Sequence, residues 1–220
     1  MAVKENRKVS ARVHDSLARA YTTLGRLFLE IPAAELLSSA RAELASIHEG
    51  VGTVFAEVAK EMERLCESMS QPLVDIKADN AQLFAGVKKL PAPPWESCYL
   101  SGKRQVYTAV TEQVRRAYLD AHLAQEPSEA QPDDHIGLEL QFLGAMSGRI
   151  ADALDDGDFA SADVTSAQRS DFLTEHLVRW GLAFCGDLEK AAHTEFYRSL
   201  ARLTAGFINY EMKGDILCSE

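Results

Sequence analysis

The polar cluster that stands out chemically is Asp133-Asp134-His135, with Glu139 one helical turn beyond His135 on the same face. Two carboxylates and an imidazole beside an aromatic pocket suit a guanidinium, each charge-assisted bond contributing about 1.5–3 kcal/mol. Taken alone, the plainer role is favoured: acidic groups opening a helix gain about 0.3–1 kcal/mol from its dipole. A different chemistry, a helical metal-dependent enzyme, would use Asp133, Asp134, His135, Glu139 and His176. No second ligand set with helical spacing accompanies them, which weighs against it. His176 has Trp180 one turn on, a pattern that reads as core packing with a satisfied ring nitrogen.

Other enzyme signatures fail. Gly50-Val51-Gly52 lacks the third glycine of a dinucleotide loop, and there is no phosphate-binding Gly-x4-Gly-Lys-Ser/Thr. There is no His-Glu-x-x-His, no histidine preceded at three residues by glutamate, and no Gly-x-Ser-x-Gly elbow. What remains is the proline stretch. Leu90-Pro-Ala-Pro-Pro-Trp-Glu-Ser-Cys-Tyr-Leu100 holds three of the chain's seven prolines, which deny it a helix and favour extended geometry. A stiff segment bearing Trp95 and Tyr99 fits either a recognition loop or a plug for a helical core.

The elements around these residues read as helices. Ser10 is a candidate cap for a first helix carrying Val13, Leu17, Ala20, Tyr21, Leu24, Leu27 and Phe28, closed by Ile31-Pro32. A second covers Ala33 to Ile47, broken by Gly50 and Gly52. A third carries Val51, Phe55, Val58, Met62 and Leu65. Leu73 to Phe84 is mixed in pattern, with Leu83-Phe84 as apolar anchors. From Lys103 a helix carries Val106, Val110, Val114, Ala117, Tyr118 and Ala121. Asp133 or Asp134 is placed to cap the next, which carries Ile136, Leu140, Leu143, Met146, Ile150 and Leu154. Further helices begin near Ser166, with Gly186 as a stop, and run from Leu188 to Phe207, with a loose tail beyond Tyr210. No alternating strand pattern occurs. The expectation is an all-α, single-domain bundle over residues 1–220 with a proline-rich extended loop, and a hinge candidate at 126–132.

The charge balance, 33 acidic against 23 basic residues, argues against nucleic acid and suits a cationic partner. Cys66, Cys98, Cys185 and Cys218 form no Cys-x-x-Cys pair. No apolar run reaches the roughly 20 residues of a membrane span, and the polar start carries no secretory signal. These features point to the cytoplasm.

The order of motifs carries a family resemblance. Asp79-Asn-Ala-Gln-Leu-Phe84, the proline stretch with Pro94-Trp95-Glu96-Ser97, Pro132-Asp-Asp-His-Ile-Gly-Leu-Glu-Leu-Gln-Phe-Leu143, Phe172-Leu-Thr-Glu-His-Leu-Val-Arg-Trp180, Phe196-Tyr197 and Leu200-Ala201 follow in sequence. The chain resembles the TorD/DmsD family of cytoplasmic molybdoenzyme chaperones from about Leu83 to Phe207. The resemblance implies an all-helical protein that is not an enzyme and has no cofactor. It implies binding of the twin-arginine signal peptide of a molybdopterin oxidoreductase catalytic subunit, holding the apo-subunit in the cytoplasm until its cofactor is inserted and Tat export follows. A nitrate-reductase-type client is the alternative within the family. Leader-binding positions carried over are Leu83, Phe84, Pro94, Trp95, Asp134 and His135, with Glu96, Ser97, Tyr99, Thr108, Asp133 and Glu139 as additional candidates. Lys88 stands where relatives often have an aromatic, and Thr108 where they often have glycine. Relatives can exchange helices between protomers, which leaves both a monomer and a domain-swapped dimer open.

Overall fold

The computed structural model describes residues 2–51, 56–85, 90–102, 104–123 and 131–217. In chain order the elements are α1 (Ala2–Leu29), α2 (Ala34–Val51), α3 (Ala56–Ser68), α4 (Leu73–Phe84), α5 (Glu96–Leu100), α6 (Ala109–Asp120), α7 (Ile136–Asp156), α8 (Phe159–Phe172), a π-helical turn (Leu173–Leu177), α9 (Val178–Ala191) and α10 (Glu195–Leu217). Among the described residues there is no strand, and extended pairing is confined to one antiparallel bridge between Trp95 and His135.

The helical spacing seen in the sequence is the buried face. Leu17, Ala20, Tyr21, Leu24, Leu27 and Phe28 of α1 share one core with Leu140, Leu143 and Met146 of α7 and with Phe196, Leu200, Leu203 and Phe207 of α10. Backbones come close where α1 meets α7. A Cβ at Gly137 would lie 2.6 Å from Leu29 Cγ and 2.8 Å from the Gly25 carbonyl oxygen, so only glycine fits. This contact fixes the first turn of α7, where the polar cluster sits. Further along, the Arg169 guanidinium of α8 grips the Glu211 carboxylate of α10, with Nη1 to Oε2 at 3.0 Å, and donates from Nε to Ser147 Oγ of α7 at 2.7 Å. Tyr21 of α1 donates its hydroxyl to the same carboxylate at 3.0 Å. Four helices therefore meet at one buried ion pair, which pairs its charges and satisfies their hydrogen bonds. Burial and the neighbouring Arg169 charge push the His14 pKa down to about 4, leaving that ring neutral.

Several boundaries differ from the sequence expectation. Ser10 lies inside α1, and α2 runs through Gly50 to Val51, so neither marks an end. Val51 belongs to α2, while Phe55 lies outside the described residues. Leu73 to Phe84 is a complete helix. The proline stretch does keep residues 91–94 non-helical, but a single turn, α5, begins at Glu96. Val106 precedes α6, because Arg104 (φ 49°) and Tyr107 (φ 57°) adopt left-handed backbone that interrupts any helix from Lys103. Asp158, not Ser166, starts α8, its Oδ1 accepting the Ser161 N–H at 3.1 Å. Gly186 lies inside α9, Leu188 belongs to α9 rather than to the last helix, and α10 continues past Tyr210 to Leu217. A glycine costs a helix only about 1 kcal/mol, which core packing overrides.

Gly137→Ala is expected to destabilise the fold by about 1–3 kcal/mol through overpacking. Gly148→Ala, also in α7 but with its nearest neighbour atom at 3.8 Å, is expected to be neutral or to stabilise by up to about 1 kcal/mol. Urea unfolding of the two variants checks this. Equal effects would mean that the α1–α7 approach does not need glycine at residue 137.

Candidate functional site

The site is built where the proline stretch meets the start of α7. Glu96 N–H donates to the Asp134 carbonyl, and Ile136 N–H to the Pro94 carbonyl, each at 2.9 Å. These bonds lay Pro94-Trp95-Glu96 alongside Asp134-His135-Ile136. The Trp95 indole meets the His135 ring edge-on, with centroids 6.1 Å apart. Trp95 is half-buried, whereas Pro94, Glu96, Ser97, Asp134 and His135 are buried.

The expected capping role moves by one residue. His135, not Asp133 or Asp134, caps α7: its Nδ1 accepts the Gly137 N–H at 3.0 Å. That bond places the ring proton on Nε2. Burial pushes the His135 pKa down to about 3, so the ring stays neutral. Asp134 turns the other way. Its Oδ2 accepts the Ser97 N–H at 2.8 Å and so closes the first turn of α5. Asp133 pairs with Arg115, Nη1 to Oδ1 at 3.1 Å, and its carbonyl accepts the Tyr118 hydroxyl at 3.0 Å.

Beneath this lies a knot of buried acids that residue spacing did not reveal. Glu96 Oε2 is 2.9 Å from His176 Nδ1. Glu139 Oε2 accepts the Trp180 indole N–H at 3.1 Å. Glu96, Asp134 and Glu139 are all completely buried. Burial, and then the Glu96 charge beside it, hold the Glu139 carboxyl well above the usual carboxylate range, so Glu139 carries a proton. Glu96 Oε1 and Glu139 Oε1 have no other partner. One proton shared between the two side chains satisfies both oxygens.

The remaining sequence candidates are spread more widely. Leu83 is buried in the core, and Phe84 closes α4 against the Tyr197 ring with centroids 5.6 Å apart. Among the described residues no hydrogen bond or ring contact joins this pair to Trp95 or His135. Tyr99 packs on Trp180 with centroids 5.5 Å apart, and its hydroxyl donates to Asp187 at 3.4 Å. Thr108 caps α6, its Oγ1 accepting the Val110 N–H at 3.2 Å. Lys88, Cys218 and residues 126–130 of the hinge candidate lie outside the described residues. The Asp79-Asn80 pair proves to be an anchor. Asp79 Oδ2 accepts the Thr194 N–H at 2.7 Å and the His193 N–H at 3.0 Å, while Asn80 donates to the Tyr197 hydroxyl at 2.7 Å. Those bonds seat α4 on the start of α10. The residues named for a metal centre diverge onto these separate partners, and among the described residues no three His, Cys, Asp or Glu side chains are placed to hold a metal ion. No described helix is long and apolar enough to cross a membrane.

Residues 47–186 match the family described as the nitrate reductase delta subunit. A protein of Haemophilus influenzae named as a probable Tat proofreading chaperone, DmsD, is 29% identical over 122 residues, covering 56% of this chain and 53% of that protein. The chain thus spans about half the length of that relative. The chaperone protein TorD of Vibrio cholerae El Tor is 24% identical over 209 residues, covering 90% of this chain and 91% of its own. The crystal structure of a candidate redox enzyme maturation protein from Archaeoglobus fulgidus shares the fold, with a TM-score of 0.54 over 87% of this chain and 93% of that one, at 22% identity.

The shared proton sets a pH dependence. The folded chain keeps the Glu139 proton above the ordinary value of 4.5, where the unfolded chain releases it. Stability from this group is therefore fully present below that ordinary value and falls as pH rises toward the elevated folded value. Glu139→Gln keeps the acceptor for Trp180 and supplies a donor to Glu96 without titrating. Relative to the unmodified protein it is expected to gain stability between pH 5 and pH 8 by up to about 1.4 kcal/mol per pH unit. Urea midpoints measured across that range check this; parallel curves would show that Glu139 is ionised in the fold.

Proposed function

The chain belongs to the nitrate reductase delta subunit family, and from that premise we propose that it is a maturation chaperone, not an enzyme. Its client is the apo-form of a molybdopterin oxidoreductase catalytic subunit. It binds the client's twin-arginine leader and retains the subunit in the cytoplasm until the cofactor is inserted, ahead of Tat export. The chaperone names of the relatives support this reading. So does the net charge of −10, which complements a basic leader.

The observation that carries the proposal is the half-buried Trp95 held rigid against His135. The open part of the indole presents a rigid aromatic face beside the prolines, against which apolar and guanidinium groups of a peptide can pack. Pro94 and Trp95 then form the wall, the half-buried Phe84, backed by Leu83 in the core, supplies an apolar surface on α4 for the leader's apolar run, and Asp134 and His135 hold the wall in place. Prolines at residues 91, 93 and 94 lower the ordering cost when the peptide arrives. The family's description favours a nitrate-reductase-type client as the second reading, and competition between leader peptides separates the two.

In isothermal titration a leader with an Arg-Arg pair is expected to bind at least about tenfold more tightly than its Lys-Lys counterpart, because only arginine makes the planar, two-pronged contact. Trp95→Ala is expected to weaken binding about tenfold or more with little loss of thermal stability. Asp134→Ala is expected to lower affinity and stability together, since that carboxylate is structural. Failure of every twin-arginine leader of the source cell to bind, with no molybdoenzyme subunit co-purifying, would end the proposal.

A further inference from the structure

Beside His176, whose ring bonds Glu96, lies a cavity of about 230 Å³ lined by Asp120, Asp171, Glu175, His176 and the rings of Phe142 and Phe172. Its position follows from the fold. Between α8 and α9 the chain widens into the π-helical turn Leu173–Leu177, and that turn carries Glu175 and His176. An inserted residue in a helix costs backbone geometry and recurs at functional sites. Asp120 faces it from the end of α6, where the helix dipole disfavours a carboxylate and favours a cation.

The lining presents acceptors. Asp120, Asp171 and Glu175 are exposed, and none is ion-paired among the described residues. His176 is 8% exposed. Its Nδ1 bonds to the Glu96 carboxylate, which places the ring proton on that nitrogen and leaves Nε2 as an unpartnered acceptor at the cavity wall. Phe172 lies against both neighbouring rings, with centroids 4.8 Å from His176 and 4.5 Å from Phe142. Three unpaired carboxylates and an imidazole acceptor, backed by the buried rings of Phe142 and Phe172, match a flat cation with several N–H donors. The carboxylates do not converge on a metal site. A guanidinium bonds carboxylates in a two-pronged manner, which an ammonium cannot do.

We infer that this cavity is a second recognition site, which takes the guanidinium of one arginine on an extended peptide. It rests on the proposal that an arginine-bearing leader is what the protein binds. His176 links it to the first site, because its other nitrogen holds Glu96, the residue next to Trp95. Glu96 follows Trp95 in the chain and bonds His176 at 2.9 Å, so the two sites are joined through one side-chain pair, and the peptide we infer engages both.

The first test is independent of any leader. N-acetyl-arginine amide, titrated into nitrogen-15-labelled protein, is expected to shift the His176 Nε2 resonance saturably. N-acetyl-citrulline amide, which keeps the shape and loses the charge, is expected to bind at least about tenfold more weakly. The Asp171→Asn/Glu175→Gln double variant, changed only at exposed positions, is expected to lose the response. No shift, an equal shift with citrulline, or a full shift in the double variant would overturn the inference. The second test uses a synthetic peptide with an Arg-Arg pair followed by a leucine-rich run, and a loss of about tenfold in affinity is expected in the double variant. Unchanged peptide affinity there, with loss in Trp95→Ala, would sink the cavity and leave the leader reading standing. An arginine amide that binds while the peptide does not would sink the leader reading and support the cavity.

Discussion

A buried carboxylate must be neutral or hydrogen-bonded, and the region around α5 and the start of α7 contains three of them. Isolated and ionised in a dry interior, each would cost more than an average core contact returns. Each is held differently. Asp134 accepts the Ser97 backbone N–H through Oδ2 and leaves Oδ1 without a partner, Glu96 is held by His176, and Glu139 accepts the Trp180 indole and keeps a proton. These bonds tie α5 to α7, to the π-helical turn and to α9. The tie holds only while the start of α7 stays where it is, which is why the contact of α1 with Gly137, whose N–H bonds His135, matters to the site. The stiffness of the Trp95 wall thus has two sources, prolines within the segment and hydrogen-bonded acids behind it.

Much of this fold is legible in the sequence because helix burial follows a period of about 3.6 residues that any amphipathic stretch displays. The faces of α1, α7 and α10 read correctly. The ends do not. Ser10, Gly50 and Gly186 carry boundary chemistry, yet each sits in a helix that core packing continues through it. Capping preferences amount to about 1 kcal/mol, less than the burial of one large side chain. At the site, residue types and motif order brought Pro94, Trp95, Asp134 and His135 together, and the structure places those four at one junction. Their partners were not legible. Ser97 lies 37 residues from Asp134, and His176 lies 80 residues from Glu96, separations at which no local spacing carries information. The one hint was His176 one turn from Trp180, which called for a satisfied ring nitrogen without naming what satisfies it.

The arrangement also separates two jobs that acidic residues do. The exposed carboxylates Asp120, Asp171 and Glu175 face solvent, where their field reaches a cation over roughly 8 Å at physiological salt. The buried carboxylates Glu96, Asp134 and Glu139 contribute little at that range, because each is neutralised, bonded or both. Their effect is positional: they keep the indole of Trp95 and the imidazole of His176 in fixed orientations. Exposed acids alone would attract any basic peptide and select none, since attraction through water is indifferent to geometry. A rigid aromatic wall alone would bind any apolar run. Selecting one arginine-bearing segment requires charge and shape to be presented in a fixed relation, and the His176–Glu96 bond, one peptide link from Trp95, joins them in this structure.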